Sequence, residues 1–563
     1  MNKVNRFART LAHKAIQKSP RAIQSLFPHT EAYRGRMMAK LYEQSLPAHA
    51  DTGTILFWVP GGMPLLLHVE AAIAAALQLR GYRVHAIICN SPYRGCAIRT
   101  IDDGTAIEQW RNVCGACTAK TSAVLETMGV PYSYNGDYVS EEQRAELWKQ
   151  TEGCTWDNLE TLSYKDLNVG RNVRSSITRY LQGADLDGHE GIVHEYAYSG
   201  LVSAAAVHSA FDLHRPSRVM MSHGVYIDWG PAIQVALGRD IPVAAWKASY
   251  LSWHFYMRHI DDPLRIDMKK LSPKGWERLR EKEFTPEHAA RLDRFFADRY
   301  DKGISFDMRQ VSRFRDDVVE LKQKYALGDK PVWAIFAHIN WDSVSDYSPM
   351  AYPSFDDWMI DTIKHIIDIP EVQWLVKVHP IEAWDNANTG VQKLIERRFP
   401  NLPDHVRVVP AEEDISPATM YELLDGGITV YGTAGLELAL LGKPVILAGE
   451  AHYGAKGFTH EGVTPVVYRK LLKQAATLEP LTPEQNIDVR KYSYSHFIRR
   501  QIPLEIVHDP KSAWWAFQIS KRKLLLPHAD PFVDFVCDRL LDGQDFSMDD
   551  ELIGQAPRER QDG

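Results

Sequence analysis

Long apolar runs are missing from this 563-residue sequence. None approaches the roughly eighteen residues that a membrane-spanning helix needs, and no apolar-cored leader of the secretory kind is visible. Those two absences predict a cytosolic protein. Cysteine is scarce, six in all, which excludes a disulfide-built scaffold. Charge of one sign is lacking too: 65 Lys and Arg stand against 72 Asp and Glu, a net charge of −7, which argues against a nucleic-acid partner. No internal repeat is present, so solenoids and propellers drop out. What remains, 45% hydrophobic and 24% charged residues, is ordinary globular composition with room for two substantial domains.

Two segments carry the chemistry. Trp374-Leu-Val-Lys-Val-His379-Pro380 reads as a buried strand stopped at a polar turn. Val430-Tyr-Gly-Thr-Ala-Gly435-Leu-Glu437-Leu-Ala-Leu-Leu-Gly-Lys443-Pro444 reads as a strand end running into a helix with glycine in its first turn. Thr433, a hydroxyl residue at that junction, is expected to cap the helix, and the unpaired first-turn N–H groups with the helix dipole behind them suit a phosphate. Gly432, Ala434 and Gly435 are small enough for an anion to approach the backbone. Glu437 lies four residues after Thr433 on one helix face, where a carboxylate suits a ribose diol. Ligands of open α/β sheets bind at the carboxyl ends of the strands, so both segments point to one nucleotide crevice, with Lys377 as a cationic helper. Gly-Thr-Ala-Gly turns and His-Pro pairs also occur purely for packing.

The His379-Pro380 turn, the Tyr431 to Val445 stretch and His452-Tyr-Gly-Ala-Lys-Gly-Phe-Thr459 together resemble the capsule polysaccharide biosynthesis family, which includes bacterial Kdo transferases. The Ala337-His338-Ile-Asn-Trp-Asp342-Ser343 segment is similar to the opening loop of that family's donor domain. The similarity is clearest over 330–460. It implies a GT-B-like fold, two Rossmann-like domains facing a cleft, and a glycosyltransferase acting on a nucleotide-activated sugar, CMP- or UDP-linked. It places His379, Thr433 and Asp342 at the donor and Glu437 at the ribose.

The rest of the chain fits such an organisation. Residues 1–50 form a basic helical segment: Lys3, Arg6, Arg9, Lys14, Lys18 and Arg21 accompany Val4, Phe7, Leu11 and Ala15 at helical spacing. Such a stripe either lies on an anionic membrane surface, which suits a lipid-linked acceptor, or packs on the protein body. Residues 51–245 form the first, acceptor-side domain. It opens with the strand Thr54–Pro60, a Gly61-Gly62 turn, a helix over 65–79 and a second strand from Arg80. His68, inside that helix, reads as structural. Further strands are expected at Gly191–Glu195 and Arg218–Gly224. Residues 246–330 read as a helical insertion, 331–500 as the donor domain, 501–541 as helices returning to the first domain, and 542–563 as a disordered tail.

Sugar transfer demands a base for the acceptor hydroxyl and stabilisation of the leaving phosphate. Glu195, His223 and Asp228 follow predicted strands of the first domain and are the catalytic candidates, each also readable as structural. Asp185-Leu-Asp187 has the form of a metal-holding Asp-x-Asp, but Gly183 and Gly188 flank it as in a surface turn, so an inverting, metal-independent enzyme with no obligatory cofactor is expected. Cys114-Gly-Ala-Cys117, with Cys89 and Cys96 nearby, has chelating or redox spacing and makes structural zinc a candidate beside plain buried thiols. Two other classes stay open: a sugar-nucleotide epimerase of related fold, and a non-catalytic carbohydrate-binding assembly protein.

Overall fold

Thr54 and the four apolar residues after it, Thr54–Trp58, form β1, and the chain then alternates helix and strand to build a first sheet: β2 (Val84–Ile88), β3 (Tyr132–Tyr134), a separate small hairpin of β4 (Ser163–Tyr164) and β5 (Leu167–Asn168), then β6 (Pro216–Ser222), β7 (Val243–Ala248) and β8 (His254–Ile260). A second sheet follows: β9 (Val332–Phe336), β10 (Gln373–Lys377), β11 (Val406–Val409), β12 (Gly426–Thr429), β13 (Val445–Leu447) and β14 (His460–Glu461). Finally β15 (Ile502–Pro503) returns to the first sheet. The computed structural model describes residues 19–27, 30–49, 52–60, 63–302, 317–342, 347–383, 390–509 and 515–556. Most of the basic N-terminal stripe, the Gly61-Gly62 turn and Ser343 lie outside the described residues.

The strand orders are β15-β8-β7-β6-β1-β2-β3 and β11-β10-β9-β12-β13-β14. The second sheet is parallel throughout, and the first is parallel except where β8 and β15 join its edge. Parallel strands need crossover helices that cover both faces, so the strands read as continuous apolar runs rather than alternating ones. Thus Ile55–Trp58 and Val332–Ile335 are buried at every position. In each sheet the order reverses once, between β1 and β6 and between β9 and β12. A crevice opens at such a switch point because neighbouring connections leave on opposite faces. The two sheets therefore form two Rossmann-like halves in a GT-B-like arrangement, as the sequence predicts.

Three sequence expectations need correction. Gly191–Glu195 is not a strand but the start of a 24-residue helix, Gly191–His214. That helix is buried on nearly all sides, so its apolar run has no helical stripe to betray it. The first sheet does not stop at residue 245, because β8 pairs with β7 beyond it. The stretch from 542 to 556 is ordered: Phe546 and Met548 are buried in the first half's core and Asp550–Gly554 is helical, capped by Asp549. Residues 557–563 lie outside the described residues. The helix Pro531–Asp542 buries Phe532, Val536 and Leu540 in the same core as the helix Pro64–Leu79. No helix among the described residues is long and apolar enough to cross a membrane.

Candidate functional site

The carboxyl ends of both sheets meet. After β6 the chain makes a tight left-handed turn at His223 (φ 55°) and Gly224 (φ 83°) before the helix Tyr226–Gly238. The Tyr226 hydroxyl donates to Asp342 Oδ1 at 2.5 Å, beyond the end of β9 in the other half. Just past β7, the Tyr250 hydroxyl is 2.6 Å from Thr433 Oγ1. The loop after β8 adds more bridges: the Tyr347 hydroxyl donates to Asp267 Oδ1 at 2.5 Å, and Arg265 holds Glu450 through two bonds of 2.6 and 2.8 Å.

At the second half's switch point the organising residue is His338, directly after β9. Its Nε2 accepts the backbone N–H groups of Val430 (3.2 Å) and Tyr431 (3.1 Å) and lies 3.0 Å from Thr429 Oγ1. Two amide donors on one nitrogen require the neutral ring with its proton on Nδ1. Burial accordingly pushes its pKa down to about 3, with His379 nearby adding to the effect. The ring stacks on Phe355, centroids 4.7 Å apart and planes 9° apart. The Thr429 hydroxyl accepts from Gly432 N. The turn from β12 into the helix Thr433–Leu440 is thus pinned from β9, across the crevice.

Thr433 is not the cap of that helix. Gly432 occupies the cap position, and Thr433 is the first helical residue with its hydroxyl turned to Tyr250. Gly435 is required by close approach: a Cβ there would lie 2.2 Å from the Tyr453 hydroxyl, which donates to the Gly432 carbonyl at 2.6 Å. Ala434 is half-buried beside it. Glu437 shares the helix but is 1% exposed, and its carboxylate is engaged by Arg299 (2.9 Å) and the Tyr300 hydroxyl (2.5 Å). Lys377 donates to the carbonyls of Pro410 (3.1 Å) and Glu413 (3.0 Å), and burial lowers its pKa to about 8. His379 accepts the Ile381 amide on Nδ1 at 3.2 Å, leaving Nε2–H as its outward donor. Burial, with Lys377 beside it, keeps the ring neutral down to about pH 4.

The three catalytic candidates are not together. His223 stands at the cleft with Nδ1 buried and, among the described residues, without a partner. Burial depresses its pKa to about 4, Lys247 and Arg179 adding to this and Asp342 opposing it. Asp228 lies deeper, accepting the Ala97 amide at 3.0 Å, and burial pushes its carboxyl up to about 7. Glu195 faces Arg94 at 3.5 Å within the first half. Beside His223 stands Lys247, at the end of β7, which the sequence did not single out. Its ammonium is 5.7 Å from the Tyr347 ring, and burial lowers its pKa to about 8, Lys269 adding to this. An isolated Lys in a strand end carries no signal in sequence. His338 was visible only as part of a family-like segment, because its partners depend on the pairing of β9 with β12.

Asp185 and Asp187 are exposed in a turn between Gly183 and Gly188. The zinc candidates do not form a centre: Cys89, Cys96, Cys114 and Cys117 are in no disulfide, and among the described residues no three His, Cys, Asp or Glu side chains are placed to hold a metal. Burial raises the Cys89 and Cys96 thiols well above the usual range, which suits inert buried thiols rather than metal-binding thiolates.

Residues 350–479 match the family described as capsule polysaccharide biosynthesis protein. No curated protein matches the chain. Among solved structures, a β-Kdo 2,4 transferase KpsC of Thermosulfurimonas dismutans is 18% identical over 55% of this chain and 88% of its own, with a TM-score of 0.35. A UDP-GlcNAc 2-epimerase from Neisseria meningitidis, bound to UDP-GlcNAc, is 11% identical over 78% and 97%, with a TM-score of 0.24. Those overlaps are too slight to argue chemistry. The family likeness read from the sequence is borne out over 350–479, the stretch that supplies the His379-Pro380 turn, the Tyr431 to Val445 segment and the His452 to Thr459 loop.

Proposed function

We propose that the protein is a glycosyltransferase of capsule or surface polysaccharide synthesis, transferring a sugar from a CMP- or UDP-linked donor to a glycan or lipid-linked glycan. The observation that carries this reading is the meeting of two switch-point crevices, joined by the Tyr226–Asp342 and Tyr250–Thr433 contacts. One crevice suits a nucleotide and the other an acceptor. In this reading the donor phosphate lies against the first-turn amides of the helix Thr433–Leu440 and the Nε2–H of His379. Lys247 faces it from the first half. Glu437 acts indirectly, fixing the helix through Arg299 and Tyr300, and is reassigned here from the ribose.

The acceptor oxygen attacks the anomeric carbon as the bond from that carbon to the phosphate oxygen breaks. The nucleotide leaves with both bonding electrons, and the acceptor proton passes to a base. His223 fits that role better than Glu195 or Asp228 by position: it stands at the cleft with Nδ1 unbonded among the described residues, whereas Asp228 lies deeper on the Ala97 amide and Glu195 faces Arg94. The charge growing on phosphate is met by fixed donors and the Lys247 ammonium, so the reading needs no metal; the single displacement makes it inverting. Membrane attachment through the N-terminal basic segment would bring the enzyme to a lipid-linked acceptor.

The test is thermal protection by CMP-, UDP-, GDP- and CDP-linked compounds, followed by transfer assays with the nucleotide class that protects. Stabilisation by one class, lost in His379→Ala, together with acceptor-dependent turnover lost in His223→Ala, is expected. Turnover without an acceptor would replace transfer by epimerisation, and no protection by any nucleotide would remove the donor site.

A further inference from the structure

A cavity of about 250 Å³ lies where the helix Pro273–Glu281, the π-helical turn Ser495–Arg499 and the C-terminal segment from Arg539 come together. It is far from the cleft. His259 Nε2 lies 2.9 Å from the Arg539 carbonyl oxygen, and His259 pairs with Ala244 near the beginning of β7. Arg218, near the beginning of β6, donates to the Leu541 carbonyl. The cavity therefore opens at the amino-terminal edge of the first sheet, whereas the cleft lies at the carboxyl ends.

Its charged lining comprises Arg278, Lys282, Arg499 and Arg539 against Asp545 and Asp549. The carboxylates are already committed: Asp545 accepts from Ser272 (2.8 Å) and Arg278 (3.1 Å), and Asp549 caps the last helix through the Leu552 amide (2.8 Å). Donors are left over. Lys282 makes no ion pair among the described residues. Arg499 is 5% exposed, bonds the Met548 carbonyl and Asp550, and keeps its Nε–H buried without an acceptor among the described residues. A buried guanidinium N–H left unpaired is costly. Each guanidinium meets one carboxylate, Arg278 with Asp545, Arg499 with Asp550 and Arg539 with Asp542, and the N–H groups beyond those pairs, with the Lys282 ammonium, suit phosphoryl oxygens. π-turns of this kind cluster at functional sites.

We infer that this cavity binds a small phosphorylated molecule, a sugar phosphate or a diphosphate, at a site separate from the donor crevice. The Arg278 and Lys282 side chains contribute from the exposed rim and Arg499 from the floor. Occupancy would bear on the same π-turn whose His496 stacks on His452, ring centroids 4.3 Å apart, behind the cleft.

The experiment is isothermal titration of the full chain with glucose 6-phosphate and with pyrophosphate, comparing wild type, Arg278→Ala/Lys282→Ala and the cleft variant His379→Ala. Glucose 6-phosphate as the tighter probe marks a sugar-phosphate site, pyrophosphate a diphosphate site. Binding that survives His379→Ala and weakens about tenfold or more in the double variant is expected. Lys282→Glu alone should weaken it in the same direction, which guards against a folding defect in the double variant. The inference falls if the double variant binds as wild type does, if binding disappears in His379→Ala instead, or if neither probe binds at millimolar concentration.

Discussion

Replacing His338 by Phe isolates a single atom's contribution to the donor crevice. Phe preserves a flat ring able to stack on Phe355 but removes the Nε2 that accepts the Val430 and Tyr431 amides. Those two N–H groups would then be buried without an acceptor. At about 1–3 kcal/mol for each stranded donor, the loss is about 2–6 kcal/mol, less whatever the turn recovers by shifting. A shift is itself informative, because residues 430–432 lead directly into the helix Thr433–Leu440. Gln places an amide oxygen close to the position of Nε2, so His338→Gln should retain more than half of the lost stability. Thermal unfolding measures the loss, expected to lower the midpoint by several degrees, and amide exchange at Val430 and Tyr431 should quicken in the Phe variant. Nucleotide protection should fall in parallel. A Phe variant within about 0.5 kcal/mol of wild type, or a Gln variant no better than Phe, would refute the view that His338 pins the turn.

Three further outcomes follow from other contacts. Arg299→Met strands the buried Glu437 carboxylate and should cost about 3–5 kcal/mol, whereas Arg299→Met with Glu437→Leu should recover part of that loss; simple additivity in urea unfolding would argue against a coupled pair. Gly435→Ala sets a methyl against the Tyr453 hydroxyl, breaking its bond to Gly432, and should cost about 1–3 kcal/mol while weakening nucleotide protection; unchanged protection would show that the helix start is not at the donor. Stability should peak near pH 6.5. His223, His254 and His338, depressed to about 4, 4 and 3, lend stability above their unfolded pKa that is lost as pH falls; Glu70 and Asp228, raised to about 8 and 7, lend stability at acid pH that is lost as pH rises through those values. Unfolding midpoints across pH 5–8 that rise steadily with pH would contradict it.

The two-sheet architecture was legible because buried parallel strands are continuous apolar runs cut by polar turns, as at Trp374–His379 and Thr54–Pro60. The same rule misread Gly191–Glu195: a helix buried all round presents the same apolar run, and only its length of 24 residues tells it from a strand. In the site, the local turn chemistry at Gly432 and Gly435 was readable. The cap falls one residue before the position the sequence suggests, because Gly caps about as well as Thr and Thr433 finds a partner 183 residues away in Tyr250. Glu437 looked free for a ribose because Arg299, 138 residues earlier, carries no mark of being its partner. Phe546 and Met548, scattered among acidic residues, looked like a tail, yet they fill gaps in a core assembled from distant strands.

The return of β15 and the helix Pro531–Asp542 to the first sheet makes the second half an insertion held at both ends. Nicking either crossing alone leaves the two halves joined by the other, so limited proteolysis there would yield a cut protein that still migrates as one particle under native conditions. Removing everything after Arg500 is a different operation. It withdraws Ile502, Leu504, Phe532, Val536 and Leu540 from the core beneath β1 and β7, so the half that collapses is the one at the opposite end of the sequence from the cut.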